Sequence, residues 1–205
     1  MSEKAPVQGP GEPVHAPHGP LPRGGTVHPI TRWGDPVMHR PQQPVTAEQF
    51  GSDALRALAA DMVATMYAAD GVGLAACQIG VDLAVFVFDC PDEAGERWVG
   101  VVCNPTLTLP EGKDRTLDDG DEGCLSFPGA FCPCARPSFA AVDGFGLDGQ
   151  PVRFEGDGLL ARCLQHETDH TYGTVFGDRV SARARKKLQK LHDAAAPDYT
   201  LEWPT

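Results

Sequence analysis

Apolar positions recur at helical spacing in parts of the chain and gather into strand-like runs between them. Leu55, Leu58, Met62 and Met66 fall on one side of a helix that Ser52 can cap and Gly71 can end. This predicts a helix from Ser52 to about Asp70 with one face buried. Leu83 to Asp89 and Trp98 to Leu109 are short, apolar runs that read as strands, and Pro105 calls for an edge or a bulge in the second. Ser138–Val142 and Pro151–Phe154 flank Asp148-Gly149, a hairpin signal. A second helix is predicted from Leu159 to about Tyr172, capped by Asp157 and closed by Gly173, and a third from Ser181 to about Ala195. Together these elements predict an α+β fold, with largely antiparallel sheets around a central helix and a further helix at the C-terminus.

Composition divides the chain further. Met1 to Gly25 is rich in Pro and Gly and has almost no apolar pattern, so residues 1–25 are expected to form a disordered arm. Residues 26–196 form one expected folded domain and 197–205 a C-terminal tail. The chain has 205 residues, 41% of them hydrophobic, which suffices for a single core. Its net charge of -11 lacks the basic footprint of a DNA-binding protein and gains nothing from an anionic membrane surface. No apolar run approaches the roughly 18 residues of a membrane span, and no charged-then-apolar start marks a secretory signal, so the cytoplasm is the expected compartment. The seven cysteines are odd in number, which favours reduced thiols that can serve as ligands or nucleophiles.

The sharpest chemical signal is Gln165-His166-Glu167-Thr168-Asp169-His170. On a helix, positions four apart share a face, so His166 and His170 can offer two imidazoles to one metal ion. Glu167, beside the first ligand, can reach a metal-activated water as general base. The alternative is an amphipathic helix carrying two surface histidines. A two-histidine site needs a third ligand. The extended pattern that would supply a third histidine is followed as far as Gly173, after which Phe176 stands in the ligand's place. Asp178 and Asp193 are alternatives without a motif around them. Upstream, Glu122-Gly123-Cys124-Leu125-Ser126 offers Cys124, whose other reading is a buried thiol. Gly71-Val72-Gly73-Leu74-Ala75-Ala76-Cys77-Gln78 lacks the ending of a phosphate loop. It reads either as a helix-ending turn or as backbone exposed to a substrate, with Gln78 offering amide hydrogens.

Taken in order, Gly71–Gln78, Glu122–Ser126 and Gln165–His170 resemble the three signature motifs of peptide deformylases, and Pro29–Val37 resembles that family's usual start. The resemblance implies a metal-dependent hydrolase that removes the formyl group from N-formylmethionyl peptides and releases formate. It implies Cys124, His166 and His170 as ligands of Fe(2+), a site that zinc, nickel or cobalt can also occupy. It implies Glu167 as the base, and the Gln78 side chain with the Leu125 backbone amide as oxyanion donors. The peptide is expected to run extended beside Val72 and Gly73. Leu159 and Cys163 are candidates for the wall of the methionine pocket, core packing being their other reading. Glu122 and Asp169 are candidates for orienting the ligands.

The chain also departs from the family's pattern. Thr171 stands where Leu is common, Gly177 interrupts an apolar pair, and an arginine that contacts the peptide in many bacterial members is missing after Ser126, with Arg136 as its candidate replacement. Cys132-Pro133-Cys134 reads as two loop thiols, a metal-binding two-cysteine clip being the alternative. Between Ser181 and His192 lie Arg183, Arg185, Lys186, Lys187 and Lys190 with no acidic residue, either a solvated face or a docking patch for the ribosome; Leu188 and Leu191 are the expected anchors. Rival readings are a metallopeptidase that cuts internal bonds and a metal-binding homologue without activity.

Overall fold

A computed structural model describes residues 14–205. The strands are β1 (Val14–His15), β2 (Gly73–Ala75), β3 (Val85–Pro91), β4 (Arg97–Thr108), β5 (Leu117–Asp118), β6 (Asp121–Gly123), β7 (Phe131–Pro133), β8 (Arg136–Pro137), β9 (Phe139–Phe145) and β10 (Pro151–Asp157). The helices are α1 (Asp53–Ala68), α2 (Gly158–Thr171) and α3 (Ala182–Ala195). The main sheet runs β10-β9-β4-β3-β2 and is antiparallel throughout that path. β4 is long enough to serve two neighbours: it pairs with β3 from Arg97 to Cys103 and with β9 from Cys103 to Thr108. The register shifts between Cys103 and Thr106, so the irregularity expected at Pro105 is an interior bulge.

Strand parity sorts the core. On β3, Phe86 and Phe88 face the cluster that includes Leu160, Cys163 and Leu164 of α2, while Val85 and Val87 face the cluster built on Leu55, Met62 and Met66 of α1. Helix α2 therefore lies across one face of the sheet, against β2, β3, β4, β9 and β10, and α1 lies across the other. A third cluster joins Cys124 and Phe127 to Phe176 and to Leu188 of α3.

Three expectations change at the ends of elements. Asp157 precedes α2 but makes no side-chain cap; its carboxylate accepts the Glu93 N–H at 3.1 Å. Leu191 is 38% exposed, so Leu188 alone of the two leucines anchors α3. Of the arm expected over residues 1–25, residues 1–13 lie outside the described residues, and the rest does not run free. Val14 and His15 pair in parallel with Arg97 and Trp98, Leu21 packs on the α1-side core, and a Cβ on Gly25 would lie 2.1 Å from the Ala60 backbone. Main-chain pairing and backbone contact need no apolar pattern, so the composition did not signal them.

Candidate metal centre

Helix α2 puts its two histidines one turn apart on a buried stretch, with the Nε2 atoms of His166 and His170 3.1 Å apart. The turn after β6 brings Cys124 Sγ to 3.3 Å from His170 Nε2. All three donor atoms lie within 4.8 Å of one another, the one such cluster among the described residues. A tetrahedral ion about 2.1 Å from nitrogen and 2.3 Å from sulfur separates its ligand atoms by roughly 3.4–3.6 Å, close to the separations of 3.1 and 3.3 Å that His170 makes with His166 and Cys124. A thiol, two imidazoles and no competing carboxylate make a donor set that fits a borderline divalent cation.

The neighbours of the two histidines differ. His166 Nδ1 lies 2.7 Å from Glu122 Oε1, and that carboxylate also accepts from Arg136 at 2.6 and 3.0 Å and from Arg162 at 2.9 Å. Arg136 continues to Asp169 at 2.7 Å, which Arg179 also holds. Burial disfavours the charge on Glu122, but His166 and Arg136 outweigh it and keep the carboxyl far below its usual range. By contrast, His170 Nδ1 and Glu167 Oε2 are buried without a hydrogen-bond partner. Burial pushes the Glu167 carboxyl up to about 7. A buried polar atom with no partner is costly and calls for a reason.

Two further pieces meet at the same place. The Gln78 side-chain Oε1 accepts the Ala75 N–H at 2.9 Å, which turns its Nε2 toward Ser126 Oγ at 3.2 Å and Cys124 Sγ at 3.7 Å. A Cβ on Gly73 would lie 2.6 Å from Glu167 Oε1 and 2.8 Å from Cys163 Sγ, so the Glu167 carboxylate rests directly on the backbone of β2.

The sequence profile of the polypeptide deformylase family matches residues 27–186. The chain belongs to that family. It is 54% identical to peptide deformylase 1 of Streptomyces avermitilis over 177 residues, 86% of this chain and 81% of that one. It is 50% identical to the peptide deformylase of Mycolicibacterium paratuberculosis over 186 residues, 86% of this chain and 93% of that one. Among solved structures, the Thermus thermophilus peptide deformylase superposes with a TM-score of 0.69 at 37% identity, covering 85% of this chain and 98% of that one. A peptide deformylase from Synechococcus elongatus, solved in complex with actinonin, gives 0.69 at 37% identity, covering 82% and 85%. The chain is accordingly a metal-dependent hydrolase that removes N-terminal formyl groups.

Within the deformylase frame, Cys124, His166, His170, Glu167 and Gln78 converge, and Leu125 directly follows the thiol. Leu125 packs its side chain against Gly71, where a Cβ would meet its Cδ1 at 2.6 Å. Cys163 donates to the Val72 carbonyl at 3.6 Å, and Leu159 is half-buried against the α2-side core. The edge expected to take the peptide resolves differently for its two residues. β2 ends the sheet, and the Val72 carbonyl is taken by the Asp89 N–H at 2.9 Å. Antiparallel alternation then turns the N–H and C=O of Gly73 away from β3, toward the open edge. Arg136, the candidate for a peptide contact, is only 5% exposed and is held between Glu122 and Asp169. Of the two expected loop thiols, Cys132 lies in β7 and Cys134 directly follows that strand, and both are buried. The unusual Gly177 makes room for Trp33, whose ring would lie 2.3 Å from a Cβ there. Sequence reasoning missed Arg162 and Arg179 altogether; their only signal is an arginine within or near the ligand helix.

Proposed function

We propose that Cys124, His166 and His170 hold ferrous iron, which zinc, nickel or cobalt can replace, and that Glu167 is the proton carrier for deformylation of N-formylmethionyl peptides. The observation that carries this reading is the buried, unpartnered Glu167 Oε2 next to three converging ligand atoms. A divalent ion held there supplies Lewis acidity and lowers the pKa of a water in its remaining position. Glu167 accepts the proton of the attacking water and delivers it to the leaving amine. The Gln78 amide hydrogens and the Leu125 N–H meet the oxygen on which negative charge develops. The substrate adds as a strand to β2 through Gly73, beside the exposed Val72 side chain, and main-chain pairing leaves most residues of the peptide unread. Cys163 and Leu159 wall the methionine pocket.

The site of action we propose is the cytoplasm; among the described residues no helix is long and apolar enough to cross a membrane. For a partner, the exposed Arg183, Lys186, Lys187 and Lys190 of α3 favour RNA phosphates at the ribosome. Arg185 is partly spent on Asp178 at 2.8 Å.

The test is anaerobic purification with metal analysis, then assay of a formylmethionyl tripeptide against the unformylated peptide. One divalent ion per chain, formate release from the first and no internal cleavage of the second are expected. Internal cleavage would make the chain a peptidase. Ribosome contact is read by co-sedimentation at low and high salt, with loss on replacing the basic residues by Gln.

A further inference from the structure

The segment Ile30–Trp33 crosses the molecule between the site and the chain's C-terminal end. Its backbone bonds both walls of the proposed oxyanion pocket: the Thr31 N–H donates to the Gln78 carbonyl at 2.8 Å and the Trp33 N–H to the Ser126 carbonyl at 2.9 Å. It thus spans the same gap that Gln78 Nε2 and Ser126 Oγ close directly at 3.2 Å. On its other side the segment is tied to residues 199–203. The Ile30 N–H donates to the Trp203 carbonyl at 2.9 Å. Arg32 Nη2 donates to the carbonyls of Tyr199 at 3.1 Å and Thr200 at 2.5 Å, and the guanidinium lies 5.8 Å over the Trp203 ring.

The same end of the chain reaches the ligand turn by a second route. His192 stacks on Phe127 at 4.4 Å and contacts the Pro128 carbonyl through Nδ1 at 3.0 Å, while Phe127 in turn packs against Trp33 at 4.4 Å. Three carbonyls of the C-terminal end therefore bond a segment whose own amides hold the two elements that must face one oxygen atom. A gap set by several backbone bonds keeps its width to a fraction of an ångström, and a misplacement of about 1 Å can cost on the order of a hundredfold in rate.

We propose that Arg32, locked by residues Tyr199–Trp203, is a positioning residue that sets Gln78 against the Cys124–Ser126 turn for the reaction. The proposal rests on Gln78 as an oxyanion donor. Its test is a double-mutant cycle in the full-length, metal-loaded enzyme, reading kcat and KM separately along with metal content and melting temperature. Gln78→Ala alone should lower kcat by about 10²–10³-fold. Arg32→Ala should lower kcat about tenfold or more with KM changed less than about twofold and metal still bound. Arg32→Lys, able to reach one carbonyl, should recover part of the loss. In the Gln78→Ala background, Arg32→Ala should cost less than about twofold, because the group it positions is gone. Trp203→Leu, which keeps an apolar anchor and removes the ring under Arg32, should show the same split and serves if Arg32→Ala does not fold. An equal fold-loss in both backgrounds, or a fall in melting temperature with kcat intact, overturns the positioning role alone. An unchanged kcat in Gln78→Ala overturns the donor assignment, and the positioning role with it.

Discussion

The two histidines of α2 stand one turn apart, yet their surroundings are opposite in kind. Behind His166 every charge is matched: Glu122 is bonded by His166, Arg136 and Arg162, and Arg136 by Glu122 and Asp169. Beside His170 and Glu167, two buried polar atoms have no partner. A charge deep in protein is tolerated when its bonds are complete and becomes reactive when they are not. One half of the site is fixed by matched charges, and the other leaves Glu167 free for the proton transfer proposed for it. The arrangement also explains how so acidic a chain keeps a buried carboxylate ionised at all, since two arginines converge on Glu122.

The sharpest way to break the contrast is to alter its reactive half. Glu167→Gln should keep metal bound and lower kcat by about 10²–10⁴-fold, the usual contribution of a placed general base. Elemental analysis beside steady-state kinetics checks both parts; parallel loss of metal and turnover would mean that the residue is structural. Altering the fixed half should act differently. Glu122→Gln removes the negative charge behind His166 Nδ1 and leaves Arg136 and Arg162 short of a counter-charge. A metal affinity weaker by about 10–100-fold and a stability loss of about 3–5 kcal/mol are expected from chelator competition and denaturant unfolding.

The pH dependence of the metal-stripped protein separates the halves by sign. The folded Glu167 value of about 7 lies above the ordinary 4.5, so the folded state holds the extra proton between them. Its burial then costs stability as pH rises through that window, by roughly 3 kcal/mol at pH 8. Glu122 runs the other way: its value is depressed, so the stability it contributes is present above the ordinary carboxyl range and is lost as pH falls through and below it. Stripped Glu167→Gln should therefore melt higher than stripped wild type at pH 8 and no higher at pH 4.5; an equal difference at both would remove the burial argument. The smallest effect is expected from the same chemistry placed in water. Arg153 bridges Asp143 and Glu155 at 2.6 and 2.8 Å with about half its side chain exposed. Arg153→Ala should move the melting temperature by no more than about 2 °C.

The chemistry of the site was largely legible in the sequence because its bearers sit in local patterns. The i, i+4 histidines, the glycine turn and the bulge at Pro105 all act within a few residues of themselves. Arg136, Arg162 and Arg179 were not legible, since an arginine reads as solvated unless its partners are known, and Glu122 and Asp169 lie up to 40 residues away from them. That Gly73 rather than Val72 presents its main chain to the open edge of the sheet depends on which strand lies beside β2, a matter of register. The seating of residues 14–25 and 199–203 is carried mainly by backbone and aromatic contacts that composition does not record.

The missing side chain at residue 73 has a consequence for drug resistance. An inhibitor that pairs with the Gly73 main chain meets atoms that every substitution elsewhere leaves in place. Resistance by changing that contact has one direct route, a new side chain at residue 73, and that route drives a carbon to within 2.6 Å of the Glu167 carboxylate. Selection against such an inhibitor should return changes elsewhere far more often than changes at Gly73, and sequencing of resistant isolates would count them.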